Sequence, residues 1–231
     1  MPAALNLLAD VASGVPLARQ TAVLNASLAP DKPWLDLLLR LTDLGFALVP
    51  VLLAVHVLTR SGEGVGALGL DRARPAFDLG SGAVLATVVG GTGLGLYPAV
   101  HALGLNLTVV PEALPAVWWR IPVLLLSAGQ NAVLEEVLVA GYLLHRLRQL
   151  GWGDGQALAV SAALRGSYHL YQGIGGFVGN AVMGLLFGRL CQRWGRVGPL
   201  IVAHTLIDAV AFIGYAYLAS HVAWLPTAPH Q

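Results

Sequence analysis

The sequence predicts an all-α fold: a polytopic membrane helix bundle with about six transmembrane helices, within a range of six to eight. Hydrophobic residues make up 56% of the chain and charged residues 11%, whereas a soluble domain carries about a quarter charged residues. The mean hydropathy is +0.70. Six apolar segments approach or reach the length that a helix needs to cross a bilayer.

The apolar segments follow one another with short polar or glycine-containing stretches between them. Arg40 and Asp43 interrupt the first segment, and the second is rich in glycine, which permits close helix contact. The third contains Pro122, and the fifth is short for a full span. The predicted spans are residues 35–58, 79–105, 117 to the basic cluster at 145–149, 156–171, 177–190 and 199–219.

A single membrane domain at 35–221 is the simplest prediction, because the chain contains no internal repeat and no low-complexity tract. An N-terminal segment, 1–34, precedes it, with an interfacial helix as one interpretation, and a C-terminal tail, 222–231, follows it. The lone Cys191 rules out an internal disulfide framework. The net charge of +1, with no basic face, gives no indication of a nucleic-acid partner.

Arginines concentrate in three connecting loops, at 60–74, 146–148 and 189–196. With six spans these loops all lie on the same side of the bilayer, which the positive-inside rule assigns to the cytoplasm. Both termini are then outside. The bacterial character of the composition and the lack of a targeting signal predict a multi-pass protein of a bacterial plasma membrane.

Ionisable residues inside the predicted spans are the candidates for chemistry, because each costs roughly 2.5–3.5 kcal/mol at the helix centre. They are Glu135, Glu136, Arg165, His169, His204 and Asp208. His204 and Asp208 are four residues apart and share a helix face, as do Arg165 and His169. The two adjacent glutamates point in directions about 100° apart, so they must face different neighbours.

Three polar stretches on three helices could converge in the interior of such a bundle. A carboxylate in a low-dielectric pocket makes a usable general base, and a neighbouring histidine can share a water molecule with it. A second histidine, with an aspartate one turn away, could donate hydrogen bonds to a developing oxyanion. The residues therefore predict a hydrolytic site inside a membrane bundle.

The order of these motifs resembles the CPBP family, the intramembrane proteases of the CAAX prenyl protease type II and bacteriocin-processing group. The resemblance rests on Glu-Glu followed by Gly-Tyr at 135–142, His-Leu-Tyr at 169–171 and His-x-x-x-Asp at 204–208. It covers about 117–219, which is thereby expected to be a protease-like core. The separations between the motifs also fit.

The resemblance implies a role for each site residue. Glu135 matches the water-activating base and His169 its partner, while His204 and Asp208 match the pair that stabilises the oxyanion. An aspartate can donate a hydrogen bond only when it is protonated, so Asp208 is alternatively a residue that orients His204. Two mechanisms stay open: a divalent metal such as zinc, held by Glu135, His169 and His204, or a glutamate-activated water without a metal.

Two positions depart from the family pattern. The first motif is Glu-Glu-x-x-x-Arg, and its arginine position is Ala140 here. The second is Phe-x-x-x-His, and its phenylalanine position is Arg165. We therefore predict that Arg165 replaces the missing arginine from across the bundle and pairs with Glu136, because an unpaired buried charge is strongly destabilising. The alternative is that Arg165 lies near an interface and extends to water.

The leading functional prediction is an intramembrane endopeptidase, with Glu136 as a further site residue. It would cleave a peptide or membrane-protein substrate near the cytoplasmic face or within the lipid bilayer. Two alternatives belong to other classes. One is a non-proteolytic scaffold or bacteriocin-immunity-type protein on the same fold, which the loss of the motif arginine favours. The other is a small proton-coupled transporter, in which buried glutamates and histidines relay protons.

Overall fold

A computed structural model describes residues 2–219 and 221 of the chain and confirms the predicted helical membrane bundle. The predicted tail at 222–231 lies outside the described residues. The helices are α1 Pro2–Ala12, α2 Pro33–Ala47, α3 Val49–Arg60, α4 Pro75–Ala102, α5 Arg120–Glu135, a π-helix Glu136–Leu143, α6 Leu144–Gln149, α7 Asp154–Tyr168, α8 Ile174–Trp194 and α9 Gly198–Leu218; the strands are β1 Thr21–Val23 and β2 Thr108–Val110.

Five helical stretches of the described chain are long and apolar enough to cross a membrane: Pro33–Arg60, Pro75–Ala102, Arg120–Gln149, Ile174–Trp194 and Gly198–Leu218. The remaining predicted span corresponds to α7, whose 15 residues reach only about 22 Å at 1.5 Å per residue. The predicted bounds of the fifth span are wrong. The glycines of GIGGF continue into α8, which gives that helix 21 residues.

A kink divides the first span into α2 and α3. Pro50 lies in the first turn of α3, where its missing N–H costs no helical hydrogen bond, but its ring prevents α2 from continuing past Leu48. The other long helices pack through glycine. Gly184 and Gly188 of α8 lie against α7, and Gly82 of α4 lies against α9. A Cβ at any of these three positions would approach a neighbouring atom to 3.1 Å or less.

The three arginine-containing loops come together at one end of the bundle. Arg146 bonds Glu63 at 3.2 Å. Arg196 donates to both carboxylate oxygens of Asp78, at 2.8 and 2.7 Å, and to Asp71 Oδ1 at 2.8 Å. The backbone N–H of Ala73 and then the Arg196 guanidinium hold the pKa of Asp71 below its ordinary value. This end of the bundle is therefore fixed by ion pairs between loops that are far apart in the sequence.

The opposite end contains a parallel two-stranded sheet, β1 with β2, that the sequence analysis does not predict. Each strand has three residues, too few for an alternating pattern to be recognised. Next to the sheet, the N–H of Leu107 donates to the carbonyl of Gln172, and Asn106 Oδ1 accepts from the N–H of Gly176. Helix α1 packs on the turn Leu170–Gln172. These contacts fix the segment that follows α7.

Candidate active site

The paired glutamates lie at the centre of the long helix Arg120–Gln149, where its geometry changes. Glu135 ends α5, and Glu136 begins the π-helix Glu136–Leu143. Turns of this type are frequent at functional sites, because the extra residue redirects side chains and leaves carbonyl groups without their usual partners. The Ser161 hydroxyl of α7 donates a hydrogen bond to the carbonyl of Val139 at 2.9 Å. The wide turn is thereby stabilised from a neighbouring helix.

Glu136, Arg165 and His204 form an inner layer that is closed to its surroundings, with exposed side-chain fractions of 0%, 1% and 6%. Glu136 Oε1 accepts a hydrogen bond from Arg165 Nη1 at 2.7 Å and lies 2.8 Å from His204 Nδ1. The same Nδ1 also lies 3.3 Å from Arg165 Nη2, which can only donate. The shorter contact is with a carboxylate oxygen that can only accept, so we assign a hydrogen to Nδ1 of His204. The inner layer thus joins three helices through one carboxylate oxygen.

Arg165 is fully buried, so its side chain does not extend to an interface as the alternative prediction required. Gly184 of α8 leaves room for its stem, since a Cβ there would lie 3.1 Å from Arg165 Cδ. The guanidinium carbon stands 5.5 Å from the centre of the Phe187 ring. Phe187 also packs in one apolar cluster with Ala140, the position where the family pattern has arginine. The arginine of this chain therefore reaches the neighbourhood of Ala140 from the facing helix.

Glu135 has a different set of neighbours, as the 100° separation predicts. Its Oε2 accepts a hydrogen bond from the Tyr168 hydroxyl at 2.9 Å and lies 3.3 Å from Arg165 Nη2. Its Oε1 faces His169 Nε2 at 3.9 Å. That separation is too long for a direct hydrogen bond. Oε2 of Glu135 is thus held by two neighbouring groups, and Oε1 faces His169 without a direct hydrogen bond.

His169 follows the last turn of α7, with its ring between two tyrosines. The ring centre is 4.8 Å from that of Tyr168 and 6.2 Å from that of Tyr171. Its Nδ1 lies 3.0 Å from the carbonyl oxygen of Arg165, which can only accept, so Nδ1 is the protonated nitrogen. In the neutral ring the Nε2 lone pair therefore points towards Glu135.

Asp208 stands one turn after His204 on α9, with Oδ2 3.7 Å from His204 Nε2. The same oxygen accepts a hydrogen bond of 3.3 Å from Asn131 Nδ2 on α5. Glu135, His169 and Asp208 have exposed side-chain fractions of 16%, 13% and 19%, and Asn131 is half-buried. We call these four residues the open wall, because their side chains are partly exposed whereas those of the inner layer are closed.

The six residues predicted from sequence come together in one cluster from three parts of the chain. They are Glu135, Glu136, Arg165, His169, His204 and Asp208. Sequence reasoning missed Tyr168 and Asn131. Tyr168 adjoins His169, but neighbours in sequence leave a helix in different directions, so its contact with Glu135 was not predictable. Asn131 stands one turn before Glu135, and that i, i+4 spacing was an available signal.

The donor set of the cluster resembles a metal site in composition. Ligand atoms of Glu135, Glu136 and His204 lie within 4.8 Å of one another, so Glu136 takes the place that the prediction gave to His169. Glu136 Oε2 is buried with no hydrogen-bond partner among the described residues. However, the Arg165 guanidinium contacts both glutamates. The three ligand groups are close enough to hold a metal ion, and the same two carboxylates also have this cation as a partner.

Residues 117–210 match the family model described as type II CAAX prenyl endopeptidase Rce1-like. The matched stretch contains all six site residues and confirms the resemblance to the CPBP family that the motifs indicate. Neither a curated protein nor a solved structure matches the chain. Together with the five apolar helices, the match identifies a multi-pass membrane protein related to a protease family.

Proposed function

We propose that this Rce1-like membrane protein is an intramembrane endopeptidase in which Glu135 activates the attacking water. The observation that carries the proposal is the 3.9 Å gap between Glu135 Oε1 and His169 Nε2 in the open wall. Both atoms accept hydrogen bonds, and a gap of about 4 Å is one that a single water bridges. A water that donates one hydrogen to each atom keeps a lone pair free for a peptide carbonyl.

In the proposed reaction, side chains of the cluster transfer the protons and stabilise the intermediate. Glu135 takes a proton as the water oxygen attacks the carbonyl carbon, and a tetrahedral oxyanion forms. The carbon–nitrogen bond breaks when Glu135 passes that proton to the leaving nitrogen. His204 donates to the oxyanion through Nε2 once that atom carries a hydrogen, since its Nδ1 is directed at Glu136.

Arg165 and Glu136 of the inner layer hold the base in position and take no proton themselves. Arg165 contacts both glutamates. Tyr168 donates a hydrogen bond to Oε2 of Glu135, the same oxygen that Arg165 Nη2 contacts. These two donors fix the rotation of the Glu135 carboxylate and leave Oε1 as its proton acceptor. The positive charge that stabilises the paired carboxylates comes from Arg165, so we infer that water activation needs no metal.

The substrate class follows from the family and from the apolar surroundings. A peptide or membrane protein that enters the bundle from the lipid would meet the open wall first, because the inner layer is closed. A prenylated peptide is the first substrate to test, given the Rce1-like match. We place the protein in a bacterial plasma membrane, as the composition predicts.

Purified protein in proteoliposomes tests the function with two quenched fluorescent peptides. One ends in a farnesylated Cys-aliphatic-aliphatic-X sequence, and the other is the same peptide without the prenyl group. We expect cleavage of at least one by the wild type, with a loss of about 10²-fold or more in Glu135→Gln, in line with removal of a general base. His169→Ala is expected to lose activity as well.

Asn180→Ala is the matched control, because the Asn180 amide bonds the carbonyl of Gly176 within its own helix. It should cleave as the wild type does. A folded wild type that cleaves neither peptide contradicts the proposal and favours the scaffold or immunity protein. Proton uptake that Glu135→Gln abolishes, without any cleavage, would instead favour the transporter.

A further inference from the structure

Asn131 joins the site from a position that no family motif covers. It lies one turn before Glu135 on α5, and residues four apart on a helix share a face. Its Nδ2 donates a hydrogen bond to Asp208 Oδ2 at 3.3 Å. This contact between α5 and α9 lies about one helical turn away from the contact of Glu136 with His204. Two polar connections therefore link α5 and its π-helix to α9, and Asn131 makes the outer one.

Asn131 lies on the partly exposed side of the cluster. It belongs to the open wall with Glu135, His169 and Asp208, while the contact of Glu136 with His204 is sealed in the inner layer. The Cβ atoms of residues four apart on a helix are about 5–6 Å from each other. The amide of Asn131 and the carboxylate of Glu135 therefore stand one turn apart on the same helix face.

Hydrogen-bond chemistry separates Asn131 from its neighbours. A tetrahedral oxyanion needs N–H or O–H donors, and an ionised Asp208 offers neither. His204 has one nitrogen committed to Glu136. The amide nitrogen of Asn131 carries two hydrogens, and its contact with Asp208 uses one of them. The second hydrogen of the Asn131 amide leaves a neutral donor for the oxyanion, next to an Asp208 carboxylate that can only accept.

We propose that Asn131 is a catalytic residue that donates a hydrogen bond to the oxyanion, with Asp208 as the acceptor that holds its amide in place. His204 is the second donor. The proposal rests on the endopeptidase function proposed above. It gives Asp208 a positioning role and assigns to Asn131 on α5 the donor role that the resemblance gave to Asp208.

The test uses the proteoliposomes and whichever of the two peptides the wild type cleaves. Asn131→Ala removes the donor, and Asn131→Asp keeps the shape while removing both N–H groups. We expect each to lower kcat by about 10²–10³-fold, the loss that follows removal of one oxyanion donor, with KM changed less than about twofold. Asn180→Ala serves again as the asparagine control.

Rescue distinguishes a donor from a residue that merely orients Asp208. Asp208→Asn places an amide next to the vacated position, so Asn131→Ala combined with Asp208→Asn should recover at least tenfold in kcat over Asn131→Ala alone. Size-exclusion profiles and melting temperatures verify that each variant is folded. The recovery would not occur if Asn131 acted only by orienting the Asp208 carboxylate, because that carboxylate is absent from the double variant.

The outcomes separate the two proposals. Wild-type cleavage that needs Glu135, together with an Asn131→Ala kcat within threefold of wild type, overturns the role of Asn131 and leaves the protease intact. A low kcat in Asn131→Ala without recovery in the double variant also overturns it. A wild type that cleaves neither peptide overturns the endopeptidase function and therefore also the role of Asn131, which depends on it.

Discussion

Replacing Arg165 by phenylalanine tests the central ion pair of the site. The substitution restores the residue type of the family pattern at this position, but it leaves Glu136 buried without its cation. Arg165 Nη1 lies 2.7 Å from Glu136 Oε1, and Nη2 lies 3.3 Å from Glu135 Oε2. Both Arg165 and Glu136 are buried to 1% exposure or less, so water cannot compensate for the lost partner.

The expected cost is large because one half of a buried pair remains. Removing one partner of such a pair destabilises a protein by about 3–5 kcal/mol. For a chain of this size that is a fall in melting temperature on the order of 10 °C. Thermal unfolding in detergent, followed by size-exclusion recovery of the monodisperse protein, measures it. Arg165→Phe combined with Glu136→Gln should lose less, since the uncompensated charge is then absent.

A second arginine provides the rescue. Ala140→Arg in the Arg165→Phe background recreates the family's Glu-Glu-x-x-x-Arg and Phe-x-x-x-His patterns together. Ala140 packs in one cluster with Phe187, above which the Arg165 guanidinium stands, so the new side chain starts near the vacated position. We expect the double variant to melt higher than Arg165→Phe. A melting temperature of Arg165→Phe equal to that of the wild type would refute the reasoning.

Three further predictions concern the support of the site and the basic end of the bundle. Gly184→Ala should cost about 1–3 kcal/mol of stability and lower cleavage, because its Cβ would lie 3.1 Å from Arg165 Cδ and overpack the helix contact. The chelator 1,10-phenanthroline should leave cleavage unchanged, because Arg165 supplies the charge between the glutamates. The lowered pKa of Asp71 means that its carboxylate stabilises the fold above about pH 4, and that this contribution is lost as the pH falls below that value.

Each of these has a control and a contrary result. Gly179→Ala is the control for Gly184→Ala, because Gly179 lies on the same helix and a Cβ there would meet open space. Equal losses of stability in both variants would contradict the packing argument. Inhibition by 1,10-phenanthroline that added zinc reverses would show that the site uses a metal. Unfolding of Asp71→Asn in acid should depend less on pH than that of the wild type, and an identical profile would contradict the role of the Asp71–Arg196 pair.

Hydropathy and loop charge predict most of the architecture, because a membrane helix must satisfy its own backbone within one apolar segment. Hydropathy does not predict features that depend on a proline, on strand pairing or on a glycine turn. Pro50 divides the first span within the apolar stretch 44–55, and β1 pairs with β2 across more than eighty residues. The glycines before Phe177 read as a turn, although only Gly173 has the positive φ, 104°, that a turn of this kind requires.

Spacing on one helix predicts part of the site, and the family pattern predicts the contact of Arg165 with Glu136 across the bundle. The pairs His204 with Asp208 and Arg165 with His169 follow from the i, i+4 rule. Which glutamate faces which neighbour does not, because the π-helix that begins at Glu136 changes the register of the helix at that point. Tyr168 shows the same limit, since its contact with Glu135 depends on how α7 packs against the long helix.

Two positions of the site lack a charge or a donor, and a facing helix brings a polar group near each of them. Ala140 carries no charge, and Arg165 brings a guanidinium to the glutamates from α7. Asp208 has no donor when ionised, and Asn131 brings an amide to it from α5. An electrostatic interaction depends on the separation of the charges in space and not on the helix that carries them. A bundle of packed helices can therefore keep a charge or a donor near one point while the residue that supplies it changes, so a motif read along one helix underestimates what the assembled site retains.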